Sequence, residues 1–443
     1  MKKIYLIGIG GIGISALARY YLSEGAKIIG SDLSSNETTE KLIKEGAQIF
    51  IGPHQSKHLP DDINLVVYSA AVPKDNPERQ KALQLQTQNN QLEILSYPQA
   101  LGKISQQYFT IAVSGTHGKS TTVAMTSLIL MEAGLDPTIF IGTKLKEFPE
   151  GNFRKGKSRY LVLEADEWQA SFLNYYPQIL VITNIEEEHL DFYKDIEDIL
   201  QTYQKAIDRL PQRGILIINN DSPSIRRLKI RPDIQVLKYS HQDPLVAKLQ
   251  KILKVPGDYN LRNALASFYI GRSLNLSDQI IFQGLEKYQG CWRRFDQRSG
   301  ILADRQFTLV YDYAHHPTAL AAFLQALREK FPQKKIIAIF QPHQYERTWK
   351  LLIKFIDVLK KSNAWVDQLI LTDIYEVAGR EKEAKQKINA QLLAKKTQST
   401  FIVFQPLANL SQYLKQELQG GEIVAVIGAG NIYEWGKSTL EKK

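Results

Sequence analysis

Short apolar runs alternate with longer segments of mixed polarity along the whole chain. The runs are rich in Ile, Leu and Val, which is typical of strands buried in a parallel sheet, and the segments between them have the length and period of helices. The predicted strands are 27–30, 65–68, 109–113, 160–163, 179–182, 308–311, 335–340, 368–372, 401–404 and 423–427. This alternation predicts the α/β class, with parallel sheets.

A glycine-rich loop follows a first short apolar strand near the N-terminus. Its glycines are Gly8, Gly10, Gly11 and Gly13. A predicted helix over 14–23 comes next, then the strand 27–30 and Asp32. This order is typical of a dinucleotide-binding fold, in which glycines allow a pyrophosphate to approach and an acidic residue contacts a ribose or base. Ser69, after the strand 65–68, lies either at a second edge of this site or in a plain Pro-rich turn.

A second glycine-rich loop lies between the strand 109–113 and a predicted helix over 121–133. Its residues are Ser114, Gly115, Thr116, His117, Gly118, Lys119, Ser120, Thr121 and Thr122. The N–H groups of such a loop bind phosphates at the positive end of the helix, while a lysine reaches terminal phosphates and a hydroxyl binds Mg²⁺. Lys119 and Ser120 fit these two roles. The strict phosphate-loop pattern requires glycine where Val113 stands, so this is a shorter form of the motif.

Acidic residues and a histidine follow two of the central strands. Glu164 comes directly after the strand 160–163, and His189 lies in the acidic segment after 179–182. Because Mg²⁺ prefers oxygen ligands and keeps several waters, Glu164 and the Ser120 hydroxyl would be sufficient to hold it beside a triphosphate. A single histidine such as His189 is as often structural as functional.

The sequence does not decide the roles of several further polar residues. Asn260 and Asn263 share one face at the start of a helix, where such amides either read a base edge or cap the helix. Arg293 and Arg294 suit phosphate binding or ion pairs equally. Polar clusters also follow strands in the last third of the chain, and they contain Asp312, His315, His343 and Arg347.

Composition narrows the class of protein. The 443 residues are 44% hydrophobic and 23% charged, as in a soluble globular protein of two to four domains. One cysteine excludes an internal disulfide and a cysteine-based metal cluster. Lys2 and Lys3 imitate the start of a secretory signal, but the following glycines would break an apolar helix, and no run of about 18 apolar residues could span a membrane. We therefore expect a cytoplasmic protein that does not insert into membranes.

The net charge of +10 is compatible with four explanations. Three are binding to nucleic acid, to an anionic membrane surface or to small anionic substrates, and the fourth is a solvated basic surface. The basic residues are dispersed and no nucleic-acid motif is present, so we favour small anionic substrates over nucleic acid. The oligomeric state is not predicted by any feature of the sequence.

Seven blocks, taken in order, resemble the motifs of the Mur ligases, which build the peptide stem of bacterial cell-wall precursors. The blocks are G-I-G-G-I-G-I-S, S-G-T-H-G-K-S-T-T, E-A-D-E, T-N-I-E-E-E-H-L-D, R-R-F, D-Y-A-H-H-P-T and F-Q-P-H-Q-Y-E-R-T. The second block also resembles the ATP loop of folylpolyglutamate synthases. The resemblance implies a Rossmann-like UDP-sugar domain over 1–105, a central P-loop ATPase-like domain over 106–295 and a Rossmann-like amino-acid-binding domain over 296–443. It further implies an ATP- and magnesium-dependent ligase that joins an amino acid, expected to be L-alanine, to UDP-N-acetylmuramate through an acyl phosphate, in peptidoglycan synthesis.

The resemblance also implies a role for each matching residue. The UDP moiety would be held by Gly8, Gly10, Gly11, Gly13, Asp32 and Ser69. ATP would be held by Gly115, Thr116, His117, Gly118, Lys119, Ser120 and Thr121, with Asn260 and Asn263 near adenine and Arg294 and Asp312 reaching across the cleft. The metal would be bound by Ser120, Glu164 and His189, and the amino acid would face His315, His343 and Arg347.

The sequence departs from the family pattern at several positions. Gln169, Tyr259 and Tyr311 replace an aspartate, a histidine and an aspartate, and Gln344 replaces an arginine where a carboxylate of the amino acid is expected. Two alternatives follow from these departures and from the family's diversity. One is a ligase that recycles a preformed cell-wall peptide, and the other is a catalytically weakened regulator that binds a UDP-sugar.

Overall fold

The computed structural model describes residues 1–145, 147–148, 151–377 and 382–442, which form three α/β domains in succession. Each domain is built on one sheet, parallel except for one antiparallel edge strand in the second and third. Every strand predicted above is present, with small shifts at its ends, so the predicted α/β class is confirmed. The boundaries after residues 105 and 295 fall between the sheets and stay predictions.

The N-terminal domain has five parallel strands in the order β3-β2-β1-β4-β5. The strands are β1 (Lys3–Ile7), β2 (Lys27–Asp32), β3 (Gln48–Ile51), β4 (Leu65–Tyr68) and β5 (Glu93–Ser96), and the helices are α1 (Ile12–Ser23), α2 (Glu37–Lys44), α3 (Pro77–Gln88) and α4 (Tyr97–Ser105). The strand order reverses between β1 and β4, and the crevice at such a point is where ligands of these sheets bind. A Cβ added to Gly8 would lie 3.2 Å from that of Ser69, so both loops border this crevice.

The central domain has a seven-stranded sheet in the order β12-β11-β10-β6-β9-β7-β8. The strands are β6 (Phe109–Ser114), β7 (Thr138–Phe140), β8 (Phe153–Arg154), β9 (Tyr160–Glu164), β10 (Ile179–Ile182), β11 (Ile215–Asn219) and β12 (Gln235–Tyr239), and the helices are α5 (Lys119–Glu132), α6 (Ile196–Asp208), α7 (Val246–Ile252), α8 (Asp258–Ser273) and α9 (Asp278–Glu286). Helix α5 packs against α8 and α9 and is buried along most of its length. Because β6 lies between β10 and β9, the acidic segments after those two strands flank the phosphate loop.

The C-terminal domain has a six-stranded sheet in the order β13-β14-β18-β15-β16-β17. The strands are β13 (Asp296–Leu302), β14 (Arg305–Asp312), β15 (Ile336–Phe340), β16 (Gln368–Leu371), β17 (Ile402–Phe404) and β18 (Ile423–Ile427). The helices are α10 (Pro317–Lys330), α11 (Tyr345–Lys350), α12 (Leu352–Lys361), α13 (Lys382–Lys387), α14 (Ala390–Thr397), α15 (Leu407–Glu417) and α16 (Ile432–Thr439). The polar clusters after β14 and β15 face the central domain.

Polar contacts fix the N-terminal domain against the central one. Asn152 donates to the carbonyl of Ile12 at 2.6 Å and accepts from the Arg19 guanidinium at 2.9 Å. Arg19 is buried and also pairs with Glu45. In the described part of the chain, no helix combines the length and apolar character needed to cross a bilayer.

Candidate active site

At two positions of the phosphate loop, between β6 and α5, the backbone lies so close to its neighbours that only glycine fits. Gly115 and Gly118 have φ of +130° and +87°. A Cβ on Gly115 would lie 2.1 Å from Oγ1 of Thr183, and one on Gly118 would lie 2.2 Å from Oδ1 of Asn263. The first turn of α5 leaves N–H groups without helical partners, so this loop has the geometry of an anion site.

The segment after β10 holds the phosphate loop in shape. Asn184 accepts the backbone N–H of Thr116 with its carbonyl at 3.1 Å and that of His117 with Oδ1 at 2.9 Å. Thr183 donates its hydroxyl to the carbonyl of His117 at 2.6 Å. The sequence analysis did not select Asn184, although it stands in the T-N-I-E-E-E-H-L-D block.

Lys119 is held at the end of the loop by hydrogen bonds within the protein. Its Nζ donates to the carbonyl of Gly115 at 2.7 Å and to Oε2 of Glu167 at 2.8 Å, and Asp166 lies 3.5 Å away. Burial alone would lower the pKa of Lys119, but attraction by Glu167 and Asp166 outweighs burial and raises it. Lys119 is therefore a fully charged, oriented cation beside the loop.

Two of the three predicted metal ligands lie side by side. The Ser120 hydroxyl is close enough to the Glu164 carboxylate to oppose the effect of burial on its pKa, and this carboxylate accepts the N–H of Gly142 at 2.9 Å. Burial raises the pKa of Glu164. His189, at φ +54°, places its Nε2 4.0 Å from carboxylate oxygens of both Asp166 and Glu167.

The acidic groups around Lys119 suit a hard cation. Oε1 of Glu167 is buried and has no hydrogen-bond partner among the described residues. Burial raises the pKa of the Glu167 carboxyl, whereas the charge of Lys119 overcomes burial at Asp166 and lowers its pKa. Carboxylate and hydroxyl oxygens next to a phosphate loop are the donor set that Mg²⁺ prefers, so the residues present fit that ion.

A cavity of about 290 Å³ extends from the phosphate loop to the C-terminal domain. The predicted ATP residues that line it are His117, Gly118, Ser120, Thr121, Asn260, Asn263, Arg294 and Asp312. Tyr239, Tyr259 and Phe323 add aromatic surface that the sequence analysis did not assign to the site. Nδ2 of Asn260 donates to the carbonyl of Pro256 at 2.7 Å, so this amide also stabilises the helix start.

Asp312 is fixed at the end of β14. It accepts the N–H of Phe295 at 2.9 Å and that of Ala314 at 2.8 Å. Burial raises the pKa of its carboxyl, an effect that the nearby charge of Arg294 opposes. Arg294 lies with its guanidinium carbon 5.0 Å from the ring centre of Tyr313. Both residues therefore face the cavity from the junction with the C-terminal domain.

The residues predicted to face the amino acid, His315, His343 and Arg347, lie around Glu188 and are called the Arg347 cluster below. Arg347 and Glu188 are buried, and the two histidines are half-buried. Arg347 donates from Nε at 2.9 Å and from Nη2 at 2.6 Å to Oε1 of Glu188, and from Nη1 to the carbonyl of His343 at 3.0 Å. The rings of His315 and His343 are 6.0 Å apart. Burial lowers the pKa of His315 well below its ordinary value and that of His343 to about 4, so both imidazoles are neutral.

Glu188 was missed by the sequence analysis. Burial would raise the pKa of its carboxyl, but attraction by the Arg347 guanidinium holds it well below the ordinary value. Its Oε2 is buried without a hydrogen-bond partner among the described residues. The signal was present as the last carboxylate of the E-E-E-H run, but three successive acids do not show which one points inward.

A second contact between the domains involves Glu186 and His316. Thr318 donates its hydroxyl to Glu186 at 2.6 Å, and the buried His316 ring lies 4.9 Å from that of His117. Nε2 of His316 is 3.2 Å from the carbonyl of Glu187. Burial lowers the pKa of both histidines. These contacts bring the C-terminal domain directly against the phosphate loop.

The glycine loop of the N-terminal domain is held by the end of β2. Gly10 donates its N–H to Oδ2 of Asp32 at 2.8 Å, and a Cβ on Gly10 would lie 2.9 Å from that oxygen. A Cβ on Gly13 would lie 2.8 Å from the ring of Tyr97. Asp32 therefore fixes the loop as well as bordering the crevice, a role that the sequence analysis did not foresee.

Comparison with known proteins gives matches along the entire chain. The models named "Mur ligase family, catalytic domain", "Mur ligase middle domain" and "Mur ligase, glutamate ligase domain" match residues 3–109, 113–252 and 293–430. The UDP-N-acetylmuramate–L-alanine ligase of Clostridium novyi is 38% identical over 467 residues, covering 100% of this chain and 98% of the relative.

Two solved structures show the same fold. The UDP-N-acetylmuramate-alanine ligase of Thermotoga maritima superposes with a TM-score of 0.77 at 25% identity, covering 99% of this chain and 98% of the other. A murein peptide ligase from Psychrobacter arcticus superposes with a TM-score of 0.69 at 20% identity, covering 99% and 98%.

Proposed function

The chain belongs to the Mur ligase family, and on that premise we propose that it joins L-alanine to the carboxylate of UDP-N-acetylmuramate with hydrolysis of ATP to ADP and phosphate. One observation carries the proposal. The chain matches alanine ligases from end to end, and its phosphate loop, Arg294 and Asp312 line one cavity. Arg347 contacts Glu188, which lies in the segment after β10 that also borders this cavity.

The chemistry needs an activated carboxylate, because a free carboxylate resists attack by an amine. A carboxylate oxygen of the UDP-sugar attacks the γ-phosphorus of ATP, ADP leaves, and an acyl phosphate forms. The amine of alanine then attacks the carbonyl carbon, and the resulting tetrahedral intermediate loses phosphate and a proton to give the amide. The enzyme accelerates both steps by positioning the reacting groups and by neutralising the negative charge that develops on them.

Lys119 supplies the fixed positive charge for the phosphoryl transfer. Its Nζ is already oriented by Gly115 and Glu167, so little reorganisation is needed when a triphosphate binds. Magnesium, when bound, would neutralise phosphate charge during the transfer. We assign Ser120 and Glu164 to hold it, with His189 as a further ligand beside Glu167 and Asp166. Arg294 and Asp312 would contact ATP from the C-terminal side.

The amino acid would bind at the Arg347 cluster. Arg347 offers the acceptor carboxylate a guanidinium. The neutral His315 ring donates Nδ1–H to the carbonyl of Tyr313 at 3.0 Å, so its Nε2 can accept a hydrogen bond from the amine. Glu188 keeps Arg347 in place and pairs with its charge. Selection of L-alanine would depend on the space beside Arg347, where the cavity lined by Glu188, Gln344 and Arg347 has a volume of about 10 Å³.

The UDP-sugar would bind at the crevice of the N-terminal domain. We assign Gly8, Gly10, Gly11 and Gly13 to the pyrophosphate and Asp32 and Ser69 to the edges of the site, with the sugar carboxylate extending towards Lys119. ATP and nucleotide sugars are cytoplasmic metabolites, so we propose that the enzyme acts in the cytoplasm.

The test is release of inorganic phosphate from ATP and magnesium with UDP-N-acetylmuramate and each of the twenty amino acids in turn. We expect L-alanine to give the highest turnover, with glycine and L-serine next because of their size. Turnover with a cell-wall tripeptide and none with free amino acids would identify a peptide-recycling ligase instead. Binding of the UDP-sugar without phosphate release from any acceptor would identify a regulator.

A further inference from the structure

A buried acidic network lies beneath the glycine loop of the N-terminal domain. Glu78, in the first turn of α3, has no exposed surface. Its carboxylate accepts hydrogen bonds from four groups, which are Oγ of Ser31 at 2.5 Å, Nδ1 of His54 and of His58 at 3.1 Å each, and the N–H of Gln55 at 3.3 Å. These residues are called the Glu78 network below.

The network reaches the glycine loop through the end of β2. The Ser31 carbonyl accepts the N–H of Gly8 at 2.9 Å and that of Ile9 at 3.1 Å. Asp32, the next residue, accepts the N–H of Gly10 at 2.8 Å. Three consecutive amides of the loop are therefore held by two residues of β2, and one of these residues is held by Glu78.

The partners of Glu78 are themselves fixed in place. The His58 ring stacks on Phe50, with ring centres 4.5 Å apart and planes 4° from parallel, and Phe50 pairs with Ser31 in the β2–β3 register. Asn76 accepts the N–H of Glu78 at 3.0 Å. Burying a carboxylate costs more free energy than burying an apolar side chain of similar size. We therefore infer that the Glu78 carboxylate, with its four hydrogen bonds, fixes the local geometry rather than adding stability.

We propose that Glu78 is a positioning residue for the UDP-sugar: through the Ser31 hydroxyl it fixes the end of β2, and thereby the backbone of the glycine loop that borders the nucleotide crevice. The inference rests on the proposed function for the identity of its ligand. Glu78 is fully buried and does not touch the nucleotide, so its effect passes through Ser31 and the loop. Neither residue contributes to the ATP cavity.

The sharpest variant is Ser31→Ala, which removes the connecting hydroxyl and leaves the pairs of Glu78 with His54 and His58 intact. We expect Ser31→Ala and Glu78→Gln each to weaken UDP-N-acetylmuramate binding about tenfold, measured by calorimetry, with ATP binding unchanged. The double variant should be little weaker than either single variant, because both break one connection.

The matched control is Glu422→Gln. Glu422 is also a buried carboxylate that accepts backbone N–H groups, those of Gln419 at 2.7 Å and Gly420 at 2.8 Å, but it lies in the C-terminal domain. Its replacement should lower the melting temperature without changing UDP-sugar affinity. Ser31→Ala keeps the test open if Glu78→Gln does not fold.

A second measurement needs no ligand. Amide hydrogen exchange at Gly8, Ile9 and Gly10 should be faster in Ser31→Ala than in wild type, while exchange in the phosphate loop stays the same. Unchanged exchange and unchanged UDP-sugar affinity in folded variants would overturn the positioning role, as would equal losses for UDP-sugar and ATP. If the wild type bound no UDP-sugar, the proposed function would fail, and hydrogen exchange would still decide the role of Glu78.

Discussion

Arg347 and Glu188 form a buried ion pair between the C-terminal and central domains, with Nη2 of the guanidinium 2.6 Å from Oε1 of the carboxylate. Both side chains are less than one-tenth exposed. The residue proposed to bind the amino-acid carboxylate is thus paired with a protein carboxylate before the substrate arrives. An incoming amino acid would have to share or displace that contact.

The pair gives a first prediction. Arg347→Ala should raise the KM for L-alanine about tenfold or more, or lower kcat severely, because a charge-assisted contact to its carboxylate is lost. The constants for ATP and UDP-N-acetylmuramate should barely change. The melting temperature should fall as well, since breaking a buried pair costs about 3–5 kcal/mol. Steady-state kinetics with each substrate varied in turn checks this, and unchanged saturation by L-alanine would place acceptor recognition elsewhere.

Gln344 gives a second prediction. It stands where the family pattern has arginine, and it already adopts φ +72°, so replacing it by another long side chain adds no new backbone strain. Gln344→Arg should leave turnover intact or tighten L-alanine binding by up to about tenfold, the effect of one added charge-assisted hydrogen bond. A loss of activity in a folded Gln344→Arg variant would show that glutamine is required at this position.

Lys119 gives a third prediction. Lys119→Ala should reduce phosphate release by about a hundredfold or more, because it removes the cation aimed at the transferring phosphate, while UDP-sugar binding persists in a separate domain. Lys287→Ala is the matched control, since Lys287 also pairs with a glutamate, Glu132, but at the far end of α5. Turnover in Lys119→Ala equal to that of the control would contradict the assignment of the phosphate loop.

Asp32 gives a fourth prediction. Asp32→Ala removes the acceptor for the Gly10 N–H, so we expect about tenfold weaker UDP-sugar binding or more, with ATP binding retained. Calorimetry with each nucleotide separately measures both. Equal losses for the two ligands would mean that the UDP-sugar and ATP sites have been wrongly separated.

The histidines of the acceptor cluster give a fifth prediction, for stability against pH. Burial lowers the pKa of His343 from 6.5 to about 4, and the pKa of His315 is lowered in the same direction. Between these values the unfolded chain binds more protons than the folded one, so the free energy of unfolding falls as the pH falls from 6.5 towards 4. Thermal melts should show this fall, and His343→Gln should make it shallower. A slope as steep in His343→Gln as in wild type would show that other groups cause it.

Much of the fold was predictable because its central strands are buried on both faces and appear as uninterrupted apolar runs, as at Ile179–Ile182. The edge strands β3 and β5 were missed, since their residues are partly exposed and mixed in polarity. Strands β7, β8, β11, β12 and β13 were also not predicted, and of these β11 is a buried apolar run that the same pattern should have found. The family assignment was also predictable and is confirmed, because ordered motifs survive substitution at Gln169, Tyr259 and Gln344. The individual roles of the site residues stay predictions.

The sequence by itself determined where most of the strands lie, which residues form the two glycine loops and which family the chain belongs to, because these depend on local conformation and on order along the chain. Only the tertiary structure decided which polar groups meet. Glu188 faces Arg347 across 159 positions, and Glu78 reaches Ser31 across 47, and neither pairing has a local signal. Burial acts in the same way: it shifts the pKa of Glu164, Asp312 and His343 only after distant segments exclude water from them.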